Sequence, residues 1–395
     1  MPADLIDALK DAIAAGDWHR ALPLLRARAE LEPDHPRHWA NLASVAPRTG
    51  TDPVPALRRA VLLAPDAPGY LNDLGAADRD GMTAAARLLV LAPLHGPATI
   101  MRALKAFGDG KIRLARSLLS KVLVAAPDTA EACYLLAQAT EQDGMISRAV
   151  GLYRTVRVLD PADRQGAGRA LARLGAGPLE AAFTPAHVKM VFDGYAENFD
   201  THLTGRLKYS APESLLRLAR ACGAVAEATS VLSVLDIGCG TGLAGAAFRP
   251  HCRHLTGIDL SGEMIRRAEA KGIYDRLLTG EVTTILQQER ETYTLIIAAD
   301  VTSYIGDLTT FLATVAVRLA VDGTLLLTAL EPAPGKAPGI GPDGAHMHDL
   351  AMLRRCADEA GLSLKTYERG AMREEAGQPL ATLFVAFTKR RQTGV

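Results

Sequence analysis

Aromatic residues are scarce in this chain, at 5% of 395 residues, and only two of them are Trp. Ala and Leu are plentiful instead, a balance that favours helix packed on helix over sandwiches of sheet. An excess of charge is also missing. Formal net charge is zero and neither half carries a strong basic surplus, which argues against a nucleic-acid partner. Cysteine is sparse. Cys133, Cys222, Cys239, Cys252 and Cys356 are scattered, odd in number, and form no CxxC pair or Cys/His cluster at zinc spacing. They read as reduced thiols of a cytoplasmic protein, with no metal site. No apolar run approaches the roughly 18 residues of a membrane span. The N-terminus has Asp4 and Asp7 early and no basic stretch before an apolar one, so it does not read as a signal peptide. The composition, 48% hydrophobic and 22% charged, is that of a globular protein. Its length suggests two or three domains.

The first half repeats itself. Pro33, Pro65, Pro93, Pro127 and Pro161 each close a helical Ala/Leu-rich segment, at spacings of 32, 28, 34 and 34 residues. The tails read Leu31-Glu-Pro-Asp34, Leu63-Ala-Pro-Asp66, Leu91-Ala-Pro-Leu94, Ala125-Ala-Pro-Asp128 and Leu159-Asp-Pro-Ala162. A period near 34 is that of the tetratricopeptide repeat (TPR). Leu136, Ala137, Gly144, Ala149, Tyr153 and Val156 fall at its small-and-large positions, and Ala103, Gly110, Ala115, Leu119 and Val122 fall in step in the unit before. Small residues let antiparallel helices approach, Gly permits the turn between them, and Pro ends the second helix. A single hairpin cannot bury its apolar face, so such hairpins stack. The reading is a TPR-like array of four and a half to five repeats over residues 1–165, the first three irregular. Such arrays bind a protein or peptide partner or self-associate. Residues 166–184, which open Gly166-Ala-Gly and reach Gly177-Pro178, read as a linker. Residues 185–391 form the second domain.

That domain carries the chemistry. Val231-Leu-Ser-Val-Leu-Asp-Ile-Gly-Cys-Gly-Thr-Gly242 reads as a buried parallel strand running into Gly238, Gly240 and Gly242. Glycines there let the backbone pass close under a nucleoside, where the next helix starts. A glycine-rich turn alone is weak evidence, since nicotinamide-binding domains have one too. Here the spacing is GxGxG, and Asp236 stands just ahead of it. A carboxylate there suits the ammonium of S-adenosylmethionine (SAM), often through water. Asp259 ends the next strand, 23 residues after Asp236, where an acid can accept both ribose hydroxyls. Ser261 reads as a helix N-cap, and Leu260 and Met264 as flanks for the adenine. Glu281 and Val282 follow strand three, with Glu281 placed to accept from the adenine amino group. Asp300 ends strand four, where open α/β sheets bind ligands. Leu319-Ala-Val-Asp-Gly-Thr-Leu-Leu-Leu-Thr328 is a helix end, a Gly turn and strand five. The set in this order is far more specific than any member. It implies a Rossmann-like class I methyltransferase domain with a seven-stranded, mostly parallel sheet, using SAM and releasing S-adenosylhomocysteine (SAH).

The chain resembles bacterial TPR-repeat-containing class I SAM-dependent methyltransferases, whose catalytic domain is similar to those of ubiquinone and menaquinone methyltransferases. The resemblance is carried by Phe192-Asp-Gly-Tyr-Ala-Glu-Asn-Phe-Asp200, Leu207-Lys-Tyr-Ser-Ala-Pro212, Ala298-Ala-Asp-Val301, Tyr304-Ile-Gly-Asp307, Ala345-His346, Met372-Arg-Glu-Glu-Ala-Gly-Gln378 and the motifs above. Glu281 departs from the usual Asp. The resemblance implies that residues 186–209, read as an amphipathic helix, close over the cofactor. Tyr195, Phe199 and Tyr209 then pack near the sulfonium or the acceptor, where an aromatic face attracts a cation. Phe192, Tyr195 and Phe199 also fit the core face of a helix. Glu331–Gly344, rich in Pro and Gly, reads as an active-site lid. His346, and less so His348, is a candidate base for an acceptor that arrives protonated.

The expected function is methyl transfer to a small-molecule, peptide or protein acceptor. The array recruits that acceptor or joins two copies of the chain. The alternative is a TPR scaffold whose second domain is a SAM sensor. RNA methylation is disfavoured by charge and by Asp300-Val-Thr-Ser303 standing where Asn/Asp-Pro-Pro-Tyr is needed for base-amino transfer. A nicotinamide oxidoreductase is disfavoured by the Gly spacing.

Overall fold

The computed structural model describes residues 3–65, 67–77, 96–226, 231–341, 344–375 and 377–390. It divides into two compact units, Met1–Thr155 and Val156–Val395.

Among its described residues the first unit holds helices and turns but no strand. The helices are α1 (Ala3–Ala14), α2 (Trp18–Leu31), α3 (Pro36–Val45), α4 (Val54–Leu63), α5 (Pro68–Ala77), α6 (Gly96–Gly108), α7 (Ile112–Ala125), α8 (Ala130–Gln142) and α9 (Ile146–Leu159), which crosses the boundary. Each of α1 to α4 packs on the next helix, as do α6 on α7 and α7 on α8. Pro33, Pro65, Pro127 and Pro161 each stand two residues past a helix end. A proline there cannot extend the ladder of hydrogen bonds. Pro93 and Asp66, which the repeat also uses, lie outside the described residues. The turns between paired helices need a left-handed residue, and Gly110 (φ 73°) and Gly144 (φ 78°) supply it. The small repeat positions are buried: Ala115, Ala137 and Ala149 have no exposed surface, and Tyr153 and Val156 are sealed beside them.

The second unit begins earlier than the sequence suggests. Residues expected as linker instead form α10 (Ala167–Arg173), with Ala167, Gly168, Ala170, Leu171 and Ala172 buried. The physical reason is Asp163. Its buried carboxylate accepts from the Ala167 and Gly168 amides at 2.7 and 2.8 Å and meets Arg157 at 3.0 Å. Gly166 is fixed by a left-handed backbone (φ 81°) and by close packing. A Cβ on it would lie 2.4 Å from the His187 ring.

A seven-stranded sheet follows, in the order β3-β2-β1-β4-β5-β9-β8. Its strands are β1 (Leu232–Ile237), β2 (Cys252–Asp259), β3 (Arg276–Thr279), β4 (Tyr293–Ala298), β5 (Leu319–Leu330), β8 (Leu362–Glu375) and β9 (Gln378–Lys389). β1 to β5 pair in parallel, and β9 alone runs against the rest, antiparallel to both neighbours. Successive side chains of a strand face opposite ways, so a strand covered on both faces is apolar throughout. Leu235, Ile237, Ile296 and Leu325 enter one core, with α16 (Leu308–Arg318) and α17 (Leu350–Glu359). Val234, Leu295, Ile297 and Leu326 enter the other, with α12 (Ala211–Ala221) and α13 (Leu243–Phe248). The expected helix over 186–209 is broken. It comprises α11 (Pro185–Tyr195), a tight turn at Ala196–Asn198 and a π-helical stretch at Thr201–Arg206.

Candidate active site

Strand order reverses beside β1: β2 lies on one side of it and β4 on the other. A crevice opens at such a point, beyond the carboxyl ends of the strands. There the chain forms a cavity of about 550 Å³, within the range of small-molecule sites. Four strand ends supply its walls: Ile237–Gly240 after β1, Ile258–Leu260 after β2, Gly280–Thr283 after β3 and Ala299–Val301 after β4. Residues from α11 onward (Phe192, Tyr195, Phe199, Leu203, Leu207, Tyr209) supply another wall, and Arg373 and Glu375 of β8 a third.

Of the site residues read from sequence, Gly238, Gly240, Asp259, Leu260, Glu281, Val282, Asp300, Tyr195 and Tyr209 all line this cavity. Asp259 ends β2 and braces the glycine loop. One oxygen accepts from the Gly240 amide at 2.8 Å and the other from the Ser261 amide at 2.8 Å. Burial raises its pKa, and those backbone bonds oppose the rise. Asp300 sits at φ 58°, donates its amide to Thr328 at 2.7 Å, and forms an ion pair with Arg373. Tyr209 is enclosed, and burial pushes its hydroxyl well up. Ser261 caps α14 (Gly262–Ala270) as expected, accepting from the Met264 amide at 3.1 Å.

Four assignments shift. Asp236 is fully buried beneath the loop and does not line the cavity. The Tyr274 hydroxyl donates to it at 2.7 Å, and burial outweighs that bond, raising its pKa to about 7. Gly242 also lies outside the lining. At φ 94° it opens α13, and a Cβ on it would press on Tyr274 at 3.0 Å. Met264 is turned inward by α14 and has no exposed surface, so Leu260 alone of that pair reaches the cavity. His346 lies on β7 (His346–Met347), which pairs with β6 (Gly339–Ile340), and is not on the cavity wall. It stacks on His348 with centroids 6.1 Å apart and meets Phe183 at 5.6 Å. Burial lowers its pKa to about 4, the wrong direction for a base.

Two further expectations change. Glu281 reaches the cavity, but its carboxylate caps α15 (Val282–Gln288), accepting from the amides of Thr283 at 3.0 Å and Thr284 at 2.7 Å. These bonds lower its pKa. The Pro/Gly-rich stretch 331–344 contributes nothing to the lining among its described residues, and Pro342 and Asp343 lie outside them. Sequence reasoning assigned no site role to Phe183, Arg373 or Glu375. Phe183 lay inside the expected linker. Arg373 and Glu375 lay in the stretch that carries the resemblance, on the last hairpin, and their place at the site shows only in the ion pairs that Arg373 makes with Asp300 and with Glu375.

The buried histidines have a consequence for stability. His346 folds with a pKa below its ordinary 6.5, so below that pH the unfolded chain binds a proton that the folded chain refuses. Its contribution is therefore intact above about pH 6.5 and lost as pH falls towards about 4. His187 and His348 are shifted in the same direction. Asp236, raised to about 7, acts oppositely, losing stability as pH rises through the same window. His346→Phe, which keeps a ring against Phe183, is expected to flatten the acid side of the stability curve without abolishing it. Urea unfolding from pH 4 to 7 measures this, and an unchanged slope would place the His346 proton elsewhere.

Residues 235–325 match a family model described as a methyltransferase domain. With the strand order and the acid at the end of β2, that match defines the second unit as carrying a SAM-dependent methyltransferase domain. No curated protein matches the chain. Among solved structures, magnesium protoporphyrin IX methyltransferase of Synechocystis PCC 6803 with bound SAH is 18% identical, over 45% of this chain and 82% of that one (TM-score 0.36). The N-methyltransferase NodS of Bradyrhizobium japonicum WM9, in complex with SAH, is 24% identical, over 46% and 86% (TM-score 0.36). A SAM-dependent methyltransferase of Clostridium acetobutylicum ATCC 824 is 13% identical, over 51% and 100% (TM-score 0.39).

Proposed function

We propose that the chain moves the methyl group of SAM to a small-molecule, peptide or protein acceptor, and that its helical first unit is a TPR-like array that recruits that acceptor or joins two copies. One observation carries the reading: the ends of four parallel strands converge on a cavity whose floor is the braced glycine loop. The residues fit the donor. Gly238 and Gly240 leave the loop without side chains over the cavity. Asp259 would take the ribose, and Leu260 and Val282 the adenine faces. Bound SAM supplies a methyl group already activated on a sulfonium. The chain then has to align the acceptor's lone pair with that bond and exclude water. Tyr195, Phe199 and Tyr209 would do both, with their faces towards the cation. For the array, the support is the period near 34 with a left-handed glycine inside each complete hairpin and a proline after it.

The test is calorimetric titration of the full chain with SAM, SAH and NADH in turn. Binding of the two sulfur nucleosides alone is expected. Binding of NADH alone overturns the reading. Tritiated SAM in a lysate then reveals which acceptor pool the protein labels.

A further inference from the structure

The cavity wall carries a pair of side chains that none of the strand-end motifs describes. Tyr195 lines the cavity, and its hydroxyl is hydrogen-bonded to His202 Nδ1 seven residues further on. The two rings stand edge to face, centroids 5.5 Å apart at 82°. His202 opens onto a π-helical turn, where the Leu207 amide reaches back to the His202 carbonyl at 3.1 Å, a widened turn of a kind found often at functional sites. His202 is half-buried.

The lining carboxylates are engaged elsewhere. Asp259 holds the Gly240 amide, Glu281 and Asp307 cap helices, and Asp300 and Glu375 both pair with Arg373. Asp200, beside His202 in sequence, is taken up by the Thr241 hydroxyl and by Lys271 at 2.7 Å. The charged group that acts on Tyr195 from an opposing element is Arg373.

We propose that Tyr195 and His202 form the proton outlet of methyl transfer, and hence that the acceptor reaches the cavity with a proton on its nucleophilic atom, as a hydroxyl or an ammonium. This rests on the methyltransferase reading above. The acceptor's X–H bond breaks and its proton goes to the Tyr195 oxygen, while the Tyr195 proton passes to His202 Nδ1. The freed lone pair on X forms the bond to the methyl carbon. The electrons of the broken S–CH3 bond stay on sulfur, which becomes the thioether of SAH. The positive charge ends on the imidazole, which releases a proton to water from Nε2. Tyr195 is the catalytic residue, and His202 positions it and receives its proton.

The test uses the full chain and the acceptor pool that the wild type labels from tritiated SAM. His202→Ala is expected to slow labelling about 100-fold at pH 7, the order of a lost general base, with SAH affinity unchanged. Added imidazole or higher pH should restore much of the rate. Tyr195→Phe should be as slow but not rescued. Wild-type rates in both variants, or a loss in His202→Ala that neither imidazole nor pH repairs, each overturn the proposal. If the wild type binds SAH but labels nothing, the methyltransferase reading fails and this one with it. If the wild type labels and the variants match it, only this one fails.

Discussion

Asp259→Ala is expected to weaken SAM and SAH binding by about 1–3 kcal/mol, or roughly 5- to 150-fold. The loss has two parts. The carboxylate that would meet the ribose goes, and so does the brace on the loop. In the folded chain its two oxygens accept from the Gly240 and Ser261 amides, both at 2.8 Å. Removing it leaves both donors without that acceptor, and an unmet buried donor costs more than the bond itself contributed. Asp259→Asn separates the parts. It keeps an oxygen for one amide but loses the charge, so it should fall between wild type and alanine. Calorimetry with SAH checks both variants, with circular dichroism to show they fold. Wild-type affinity in Asp259→Ala would remove the residue from the donor site.

The strand-end wall of the cavity was legible in the sequence because its parts follow apolar runs. An apolar run followed by Gly238-Cys-Gly240, and another ended by Asp259, announce β1 and β2 and the loops beyond them. Periodicity and glycine positions are local properties, and local properties survive in one dimension. The helical hairpins were legible for the same reason: proline and glycine mark ends and turns. Depth was not legible. Asp236 and Asp259 look alike as acids at strand ends, yet one is sealed under Tyr274 and the other faces the cavity. His346 followed a loop rich in Pro and Gly and read as a candidate base, but the packing of Phe183 and His348 buries it. Residues 166–184 read as linker because glycine was counted as flexibility. Asp163 caps α10 from outside that stretch, and Gly166 and Gly177 are positions of close packing. The wall that holds Arg373 is the hardest to foresee, since Arg373 meets Asp300 only when the last hairpin joins the sheet.

Gly238→Ala is expected to lower SAH affinity at least tenfold, and for a reason that can be taken apart. Gly238 stands at φ 62°, where any side chain is strained by about 1–2 kcal/mol. A Cβ there would also lie 2.5 Å from Cγ2 of Val301, on the loop after β4. Val301 is β-branched and has little freedom to rotate away, so the glycine loop and the β4 loop must part. Both line the cavity in which we propose that the donor binds. Val301→Ala removes the clash but not the backbone strain. The double variant should therefore bind SAH more tightly than Gly238→Ala alone while staying below Val301→Ala. The interaction energy of that cycle measures the steric part. If Val301→Ala restores nothing, the backbone conformation alone demands glycine at this position. If it restores everything, the left-handed conformation at 238 carries no cost, and the loop owes its glycine to the closeness of Val301.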